Sequence, residues 1–314
     1  MRHFTSLEDV SDINKLIKKS LEVKKDPFQC TGLGKNKTIG LVFFNSSLRT
    51  RMSITRAATN LGLSVITLNV NSDSWKLEFE DGTVMDGASA EHIREAVPIL
   101  CSYCELLAVR SFPSLINQEE DYSERVLMSF IEHGNVPIIN MESATVHPLQ
   151  SLADVVTILE YQRTHKPKVV MTWGPHIQAL PQAVSNSFAQ WANAMEYDFV
   201  ITHPKGLDLD RRFVGEASVE HDQEKALEGA DFVYVKNWSS YQDYGKVMSD
   251  KSWQMTLEKL KLTNNARLMH CLPVRRNVVI SDDALDSEHS IIIPQAENRL
   301  YTTQAVIQQI LLNL

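Results

Sequence analysis

The chain has 314 residues, a formal net charge of -8, and 43% hydrophobic and 22% charged residues, a globular composition long enough for two domains with ordinary cores. The negative balance, without any long run of Lys or Arg, argues against a general nucleic-acid surface but leaves room for local cationic pockets that hold small anions. The N-terminal segment 1–19 is polar and lacks the apolar core of a signal peptide, no stretch approaches the roughly 20 apolar residues of a membrane span, and four cysteines make no disulfide framework, so a reducing cytoplasm is the expected compartment.

The predicted elements alternate along the chain. Short apolar, β-branched runs at 38–44, 64–70, 106–110 and 136–141 read as strands, and 49–61, 90–104 and 122–133 between them read as helices. A long helix-like run at 149–161 follows. Strands are then expected at 168–173, 197–203, 231–235, 267–272 and 290–293, with helices at 181–195, 223–227 and 296–314. This alternation predicts an α/β fold of two doubly wound parallel-sheet domains, each with four to five strands and helices on both faces. The expected crossover is the helix starting near His147, which divides the chain into 1–146 and 147–295. Ligands of such sheets bind beyond the carboxyl ends of the strands, and the residues able to do chemistry stand just there.

Phe44-Asn45-Ser46-Ser47-Leu48-Arg49-Thr50-Arg51 follows a strand and opens a helix. Its Ser and Thr residues can cap that helix, and the first-turn N–H groups with the helix dipole form an anion site. Arg49 adds a planar fork suited to phosphate oxygens. Arg51 faces elsewhere on the helix and is expected in a structural salt bridge. Arg110 ends a strand, His147 and Gln150 open the crossover helix, and Cys271 and Leu272 follow another strand. Cys101-Ser102-Tyr103-Cys104 lies inside a helix-like run, away from any helix start that would activate a thiolate, and reads as packing. The histidines and cysteines show no metal-ligand spacing, and the first strand is not followed by the Gly-rich turn of a dinucleotide site. No metal or cofactor is expected.

Ser47-Leu48-Arg49-Thr50-Arg51 resembles the Ser-Thr-Arg-Thr-Arg signature of aspartate and ornithine carbamoyltransferases. His147-Pro148-Leu149-Gln150 is similar to that family's His-Pro-x-Gln segment, and His270-Cys271-Leu272-Pro273 to the His-Cys-Leu-Pro motif of its ornithine branch. The three motifs stand in family order and span most of the chain. The resemblance implies a carbamoyl-phosphate domain, an amino-acid domain, and a C-terminal helix, 296–314, that returns to the first. It also implies a homotrimer with shared active sites. By it, Thr50, Arg110 and His147 surround the carbamoyl oxygen, Gln150 holds the carbamoyl NH2, and Ser47, Leu48, Arg49 and Thr50 hold the phosphate. Arg299 reaches the carbamoyl group, and Cys271 and Leu272 orient the attacking nitrogen.

The acceptor follows from the same resemblance. The Ser-Met-Gly loop of plain ornithine enzymes is absent, and Val235-Lys236-Asn237-Trp238 stands in the matching region. A lysine there repels a substrate ammonium and attracts a carboxylate, so the α-amine is expected to be acylated. Thr172-Trp173-Gly174-Pro175-His176 and Cys271-Leu272-Pro273-Val274-Arg275-Arg276-Asn277 resemble the branch acting on N-acylated ornithines. This implies that Glu142, His176, Lys236 and Arg275 contact the acylated amino acid. Trp75 then belongs to a loop reaching a neighbouring subunit's site. Acetyl-specific members carry Glu near position 90 and Lys at the position of Val279; Ala90 and Val279 therefore favour N-succinylornithine. N-acetylornithine is the alternative acceptor, and a non-catalytic small-molecule-binding protein of the same fold is a distant one.

Overall fold

The computed structural model describes residues 1–70 and 72–314. Two compact units emerge: Met1–Ser114, Glu119–Leu149 and Arg299–Leu314 form the first, and Leu115–Gln118 with Gln150–Asn298 form the second.

In the first unit, β1 (Thr38–Phe43), β2 (Ser64–Asn69), β5 (Leu106–Arg110) and β6 (Ile138–Glu142) make a parallel sheet of order β2-β1-β5-β6. Two short strands, β3 (Leu77–Glu78) and β4 (Glu91–His92), pair with each other alone. The helices are α1 (Ile13–Lys25), α2 (Leu48–Asn60), α3 (Ile93–Tyr103), α4 (Gln118–Tyr122, all but its first residue in this unit) and α5 (Arg125–His133). The central strands are buried along most of their length, which is why they read as continuous apolar runs rather than alternating ones. Gly40 in β1 is required by close packing: a Cβ there would stand 2.6 Å from Leu107 Cδ2 and 3.0 Å from Cys104 Sγ. Phe43 pairs in register with Arg110, and Arg110 with Glu142, so the carboxyl edge of the sheet brings both charges side by side.

α6 (Pro148–Tyr161) begins in the first unit and continues in the second. The second unit holds β7 (Lys168–Trp173), β8 (Asp198–Thr202), β9 (Ser218–Glu220), β10 (Phe232–Lys236) and β11 (Arg267–Met269), all parallel, in order β11-β10-β7-β8-β9. Its helices are α7 (Ala183–Ala194), α8 (Arg211–Val214), α9 (Gln223–Leu227), α10 (Leu257–Leu260) and α11 (Asp282–Leu285); α12 (Ile292–Leu311) starts there and ends in the first unit. Trp173 and Lys236 are register partners at the carboxyl edge. Among the described residues no helix is long and apolar enough to cross a membrane.

The α/β class with two parallel sheets is as expected, and several details differ. Residues 290–293 are not a strand: Ser290 makes one bridge to Leu268, and Ile292 opens α12. Pro294 in the first turn is compatible with that start, because the N–H it lacks would have no intrahelical partner. The fifth strand is instead β9. The strand expected over 267–272 stops at Met269, because the His270 N–H goes to the Gln295 side chain. The helix expected over 122–133 breaks at Glu124, and the boundary between units falls inside α6, with Leu115–Gln118 joining the second unit. The polar N-terminal segment, left without an element by sequence, forms α1, whose Leu16, Ile17, Ser20 and Val23 make a buried stripe at helical spacing.

Candidate active site

In the first unit the site is built at the start of α2. Ser47 is its N-cap, with Oγ accepting the Thr50 N–H at 3.3 Å. The first turn carries no acidic side chain, so the positive end of the helix is available to an anion. Arg49 is half-buried, while the Leu48 side chain is 74% exposed and can serve only through its backbone. Thr50, almost fully buried, accepts at Oγ1 from Arg299 Nη2 at 2.7 Å and Arg110 Nη1 at 3.5 Å. Arg110 Nη1 also donates to Glu142 Oε2 at 2.5 Å, and His147 Nε2 stands 3.5 Å from that same oxygen.

Two buried guanidiniums thus meet at the Thr50 hydroxyl, and Arg110 is paired with the Glu142 carboxylate. Buried charge of this kind is tolerated when paired and hydrogen-bonded. The Arg110 guanidinium lies 4.4 Å from the Phe112 ring centroid, and its buried Nε has no hydrogen-bond partner among the described residues. Such an arrangement can hold an anion and offer fixed donors to a developing oxyanion. Glu142, expected among the acceptor contacts, is brought to Arg110 and His147.

Two further residues of the first unit stand apart. Trp75 is 57% exposed, and its Nε1 donates to Glu91 at 2.7 Å. Ala90 is exposed, its N–H bonded to the Lys76 carbonyl at 3.0 Å. Among the described residues no hydrogen bond joins either to the Thr50 cluster. Arg51 departs from expectation: it donates to the Asn69 carboxamide and lies over the Phe43 ring at 5.1 Å, so a neutral side chain takes the place of the expected salt-bridge partner. Cys101 and Cys104 are buried free thiols, the latter pushed up to about 11, chiefly by burial, in keeping with a packing role.

The second unit gathers a separate cationic group. Lys236, at the end of β10, is buried and donates through Nζ to the Asn237 carbonyl at 2.6 Å. His176 follows β7, and its Nε2 accepts from Arg275 Nε at 3.2 Å. Nδ1 lies 3.0 Å from the Gln178 carbonyl and 3.1 Å from the Gln178 N–H, so the tautomer decides which of the two it bonds. Burial lowers the His176 pKa most, the Gln178 carbonyl opposes this, and the Arg275 and Lys236 charges lower it further. The imidazole therefore stays neutral at neutral pH. Its acceptor role is lost only as pH falls through that depressed value. Val279 is buried, its Cγ1 3.0 Å from where a Cβ on Gly174 would stand.

A second network in this unit holds the other motif residues. Gln150 Nε2 and Gln295 Nε2 both donate to Asp154 Oδ1 at 2.7 Å. Gln295 Oε1 accepts the His270 N–H at 2.9 Å, and His270 Nδ1 accepts the Leu272 N–H at 2.9 Å. Leu272 adopts a left-handed φ of 57°, an unusual conformation for a branched side chain and of a kind that clusters at ligand sites. Cys271, half-buried, precedes it. Tyr234 is fully enclosed; burial first, then Asp154 and Cys271, raise its hydroxyl well above the ordinary value, so it remains protonated. Asp154, Gln295 and Tyr234 were not among the expected site residues. Asp154 could have been found, because it stands four residues after Gln150 on one helix face. Gln295 lies in the segment misread as leading out of a strand and gave no local signal.

The chain matches known proteins over its whole length. Residues 2–160 match the carbamoyl-P binding domain of aspartate/ornithine carbamoyltransferase, and residues 181–310 match the Asp/Orn binding domain. It is 51% identical to an N-succinylornithine carbamoyltransferase of Bacteroides fragilis (strain 638R), covering 100% of both chains. It is 36% identical to an N-acetylornithine carbamoyltransferase of Xanthomonas axonopodis pv. citri (strain 306), covering 98% of this chain and 96% of the other. A solved glutamate-to-alanine variant of N-acetyl-L-ornithine transcarbamylase, complexed with carbamyl phosphate and N-succinyl-L-norvaline, superposes with a TM-score of 0.93. That chain is 36% identical, and the match covers 99% of this chain and 100% of the other. With both domains matched in order and half its residues shared with one relative, the chain belongs to the aspartate/ornithine carbamoyltransferase family.

Proposed function

We propose that this protein transfers the carbamoyl group of carbamoyl phosphate to the side-chain amine of N-succinyl-L-ornithine, giving N-succinyl-L-citrulline and phosphate in arginine biosynthesis. The observation that carries the reading is the buried Thr50–Arg110–Arg299 cluster at the start of α2, a cationic group with donors already fixed in place. The neutral amine attacks the carbamoyl carbon. The new C–N bond forms, the C–O bond to phosphorus breaks, and the amine proton leaves with the phosphate. Thr50, Arg110 and His147 stabilise the carbonyl oxygen as it gains charge, and Gln150 holds the carbamoyl NH2. Arg299 reaches the carbamoyl group while it supports Thr50. Departing phosphate rests on the backbone of residues 47–50 and the Arg49 fork. Cys271 and Leu272 orient the attacking nitrogen; the cysteine positions and forms no covalent intermediate, because the amine is itself the nucleophile.

Lys236 and Arg275 attract the acceptor's carboxylates, His176 stays neutral between them, and Glu142 accepts from the acylated α-nitrogen. Ala90 leaves the acyl end free of the negative charge that a glutamate would bring, which suits a succinyl carboxylate. The higher identity to the succinylornithine relative than to the acetylornithine one supports the same choice. The working form is a cytoplasmic homotrimer to which the Trp75 loop contributes across subunits.

Phosphate release from carbamoyl phosphate, measured with ornithine, N-acetyl-L-ornithine and N-succinyl-L-ornithine, tests this. The succinyl acceptor is expected to give the highest kcat/KM. A clear acetyl preference overturns the acceptor assignment, and no acceptor-dependent release with any of the three overturns the enzyme.

A further inference from the structure

The break between α4 and α5 places Glu124 in a left-handed conformation, φ 54° and ψ 31°, which disfavours any residue carrying a Cβ. Glu124 also occupies the N-cap of α5, yet its side chain makes no capping bond, although a carboxylate is suited to that task. Its side chain is directed instead to the loop joining Glu142 to His147. Oε1 accepts from Ser143 Oγ at 2.8 Å, the Thr145 N–H at 2.7 Å and Thr145 Oγ1 at 2.5 Å; Oε2 accepts the Ala144 N–H at 3.1 Å. One side chain thereby fixes three successive residues. The loop is closed further by the Ser143 N–H on the Val146 carbonyl at 3.0 Å and by Asn140 Nδ2 on Ser143 Oγ at 2.9 Å.

We propose that Glu124 is a positioning residue for the reaction: it fixes the 143–146 loop so that Glu142 and His147, on either side of that loop, hold their geometry around Arg110. The proposal rests on the carbamoyl-transfer reading. Glu124 touches none of the reacting groups and acts through the loop. Burial raises its carboxyl pKa, and its four donors oppose that rise; the ionised form is the one able to accept all four.

The full-length chain tests this with E124Q, E124A, H147A and the E124A/H147A pair. The glutamine is nearly isosteric but meets the Ala144 N–H with a donor. It is expected to lower kcat about tenfold, and the alanine about a hundredfold, the scale of misplacing a catalytic group by about 1 Å. The acceptor KM should rise as kcat falls, because the same loop holds Glu142 toward the acylated α-nitrogen. In the H147A background, adding E124A should cost less than about threefold more, since the two act as one unit. Independently of turnover, amide exchange at Ala144 and Thr145 in E124Q should quicken about tenfold or more, with other protected amides unchanged. Unchanged kcat in E124Q, losses that multiply in the double variant, or unchanged exchange at those two amides would each overturn the proposal. A wild-type chain without acceptor-dependent phosphate release would instead overturn the carbamoyl-transfer reading, while the exchange experiment still decides the role of Glu124 in the loop.

Discussion

Ala90 and Val279 carry different weight in the choice of acceptor. Val279 is a core residue packed with Val235, Leu268 and Ile280, so a lysine there would bring a charge into an apolar cluster at heavy cost. Its identity is as much a matter of folding as of specificity. Ala90 is exposed, and a change there leaves the core intact. Ala90→Glu should therefore act on the substrate rather than on the fold. Two like charges about 4 Å apart in water repel by about 1 kcal/mol, which corresponds to about fivefold in rate. The ratio of kcat/KM for the succinyl acceptor over the acetyl acceptor is expected to fall about fivefold, with Tm unchanged. A ratio equal to wild type would place position 90 away from the acyl group.

Gln295 shows what an element boundary can hold. Its side chain, buried near the start of α12, links β11 to α6 by taking the His270 N–H and giving to Asp154. Gln295→Ala would leave the His270 N–H without that acceptor and Asp154 short of a donor. A loss of about 2–4 kcal/mol is expected in denaturant unfolding of the chain, and Gln295→Glu, which puts a carboxylate against Asp154, should do no better. A loss under about 0.5 kcal/mol would mean that neither group depends on it. Both sheets were readable in the sequence because parallel strands buried on two faces are continuously apolar. β9 was not, since two of its three residues are exposed. Residues 290–293 carried the strand signal but form a helix start, where Pro294 fits as well as β-branched residues fit a strand. The motif positions at 47–50, 147–150 and 270–273 were readable because each is a short contiguous segment at the carboxyl end of a strand that resembles a family motif. The links from Glu124 to residues 143–145, and from Gln295 to His270, span about twenty residues or more, and no local pattern marks such pairs.

At the scale of the whole molecule, the exposed apolar side chains are not scattered evenly. Trp75, Val84 and Met85 are 57%, 77% and 41% exposed within the segment leading from β2 to β4, and Leu48 and Met52 on α2 are 74% and 64% exposed. Exposed apolar side chains such as these call for a covering partner. The homotrimer proposed above would supply one, and that proposal makes a prediction that separates a shared site from mere assembly. Trp75→Ala and His147→Ala should each give a folded but weakly active trimer. If Trp75 serves a neighbour's site, dissociating and reassociating an equal mixture of the two creates sites that pair an intact His147 with an intact Trp75 from the adjacent chain. In a cyclic trimer assembled at random, about a quarter of the sites have that composition, so about a quarter of wild-type specific activity should return. If Trp75 serves its own chain, every site in the mixture still carries one lesion, and activity stays at the level of the parents. Sedimentation of the same samples checks that three chains associate, so a monomer would reject the trimer and an inactive mixed trimer would reject the sharing of Trp75.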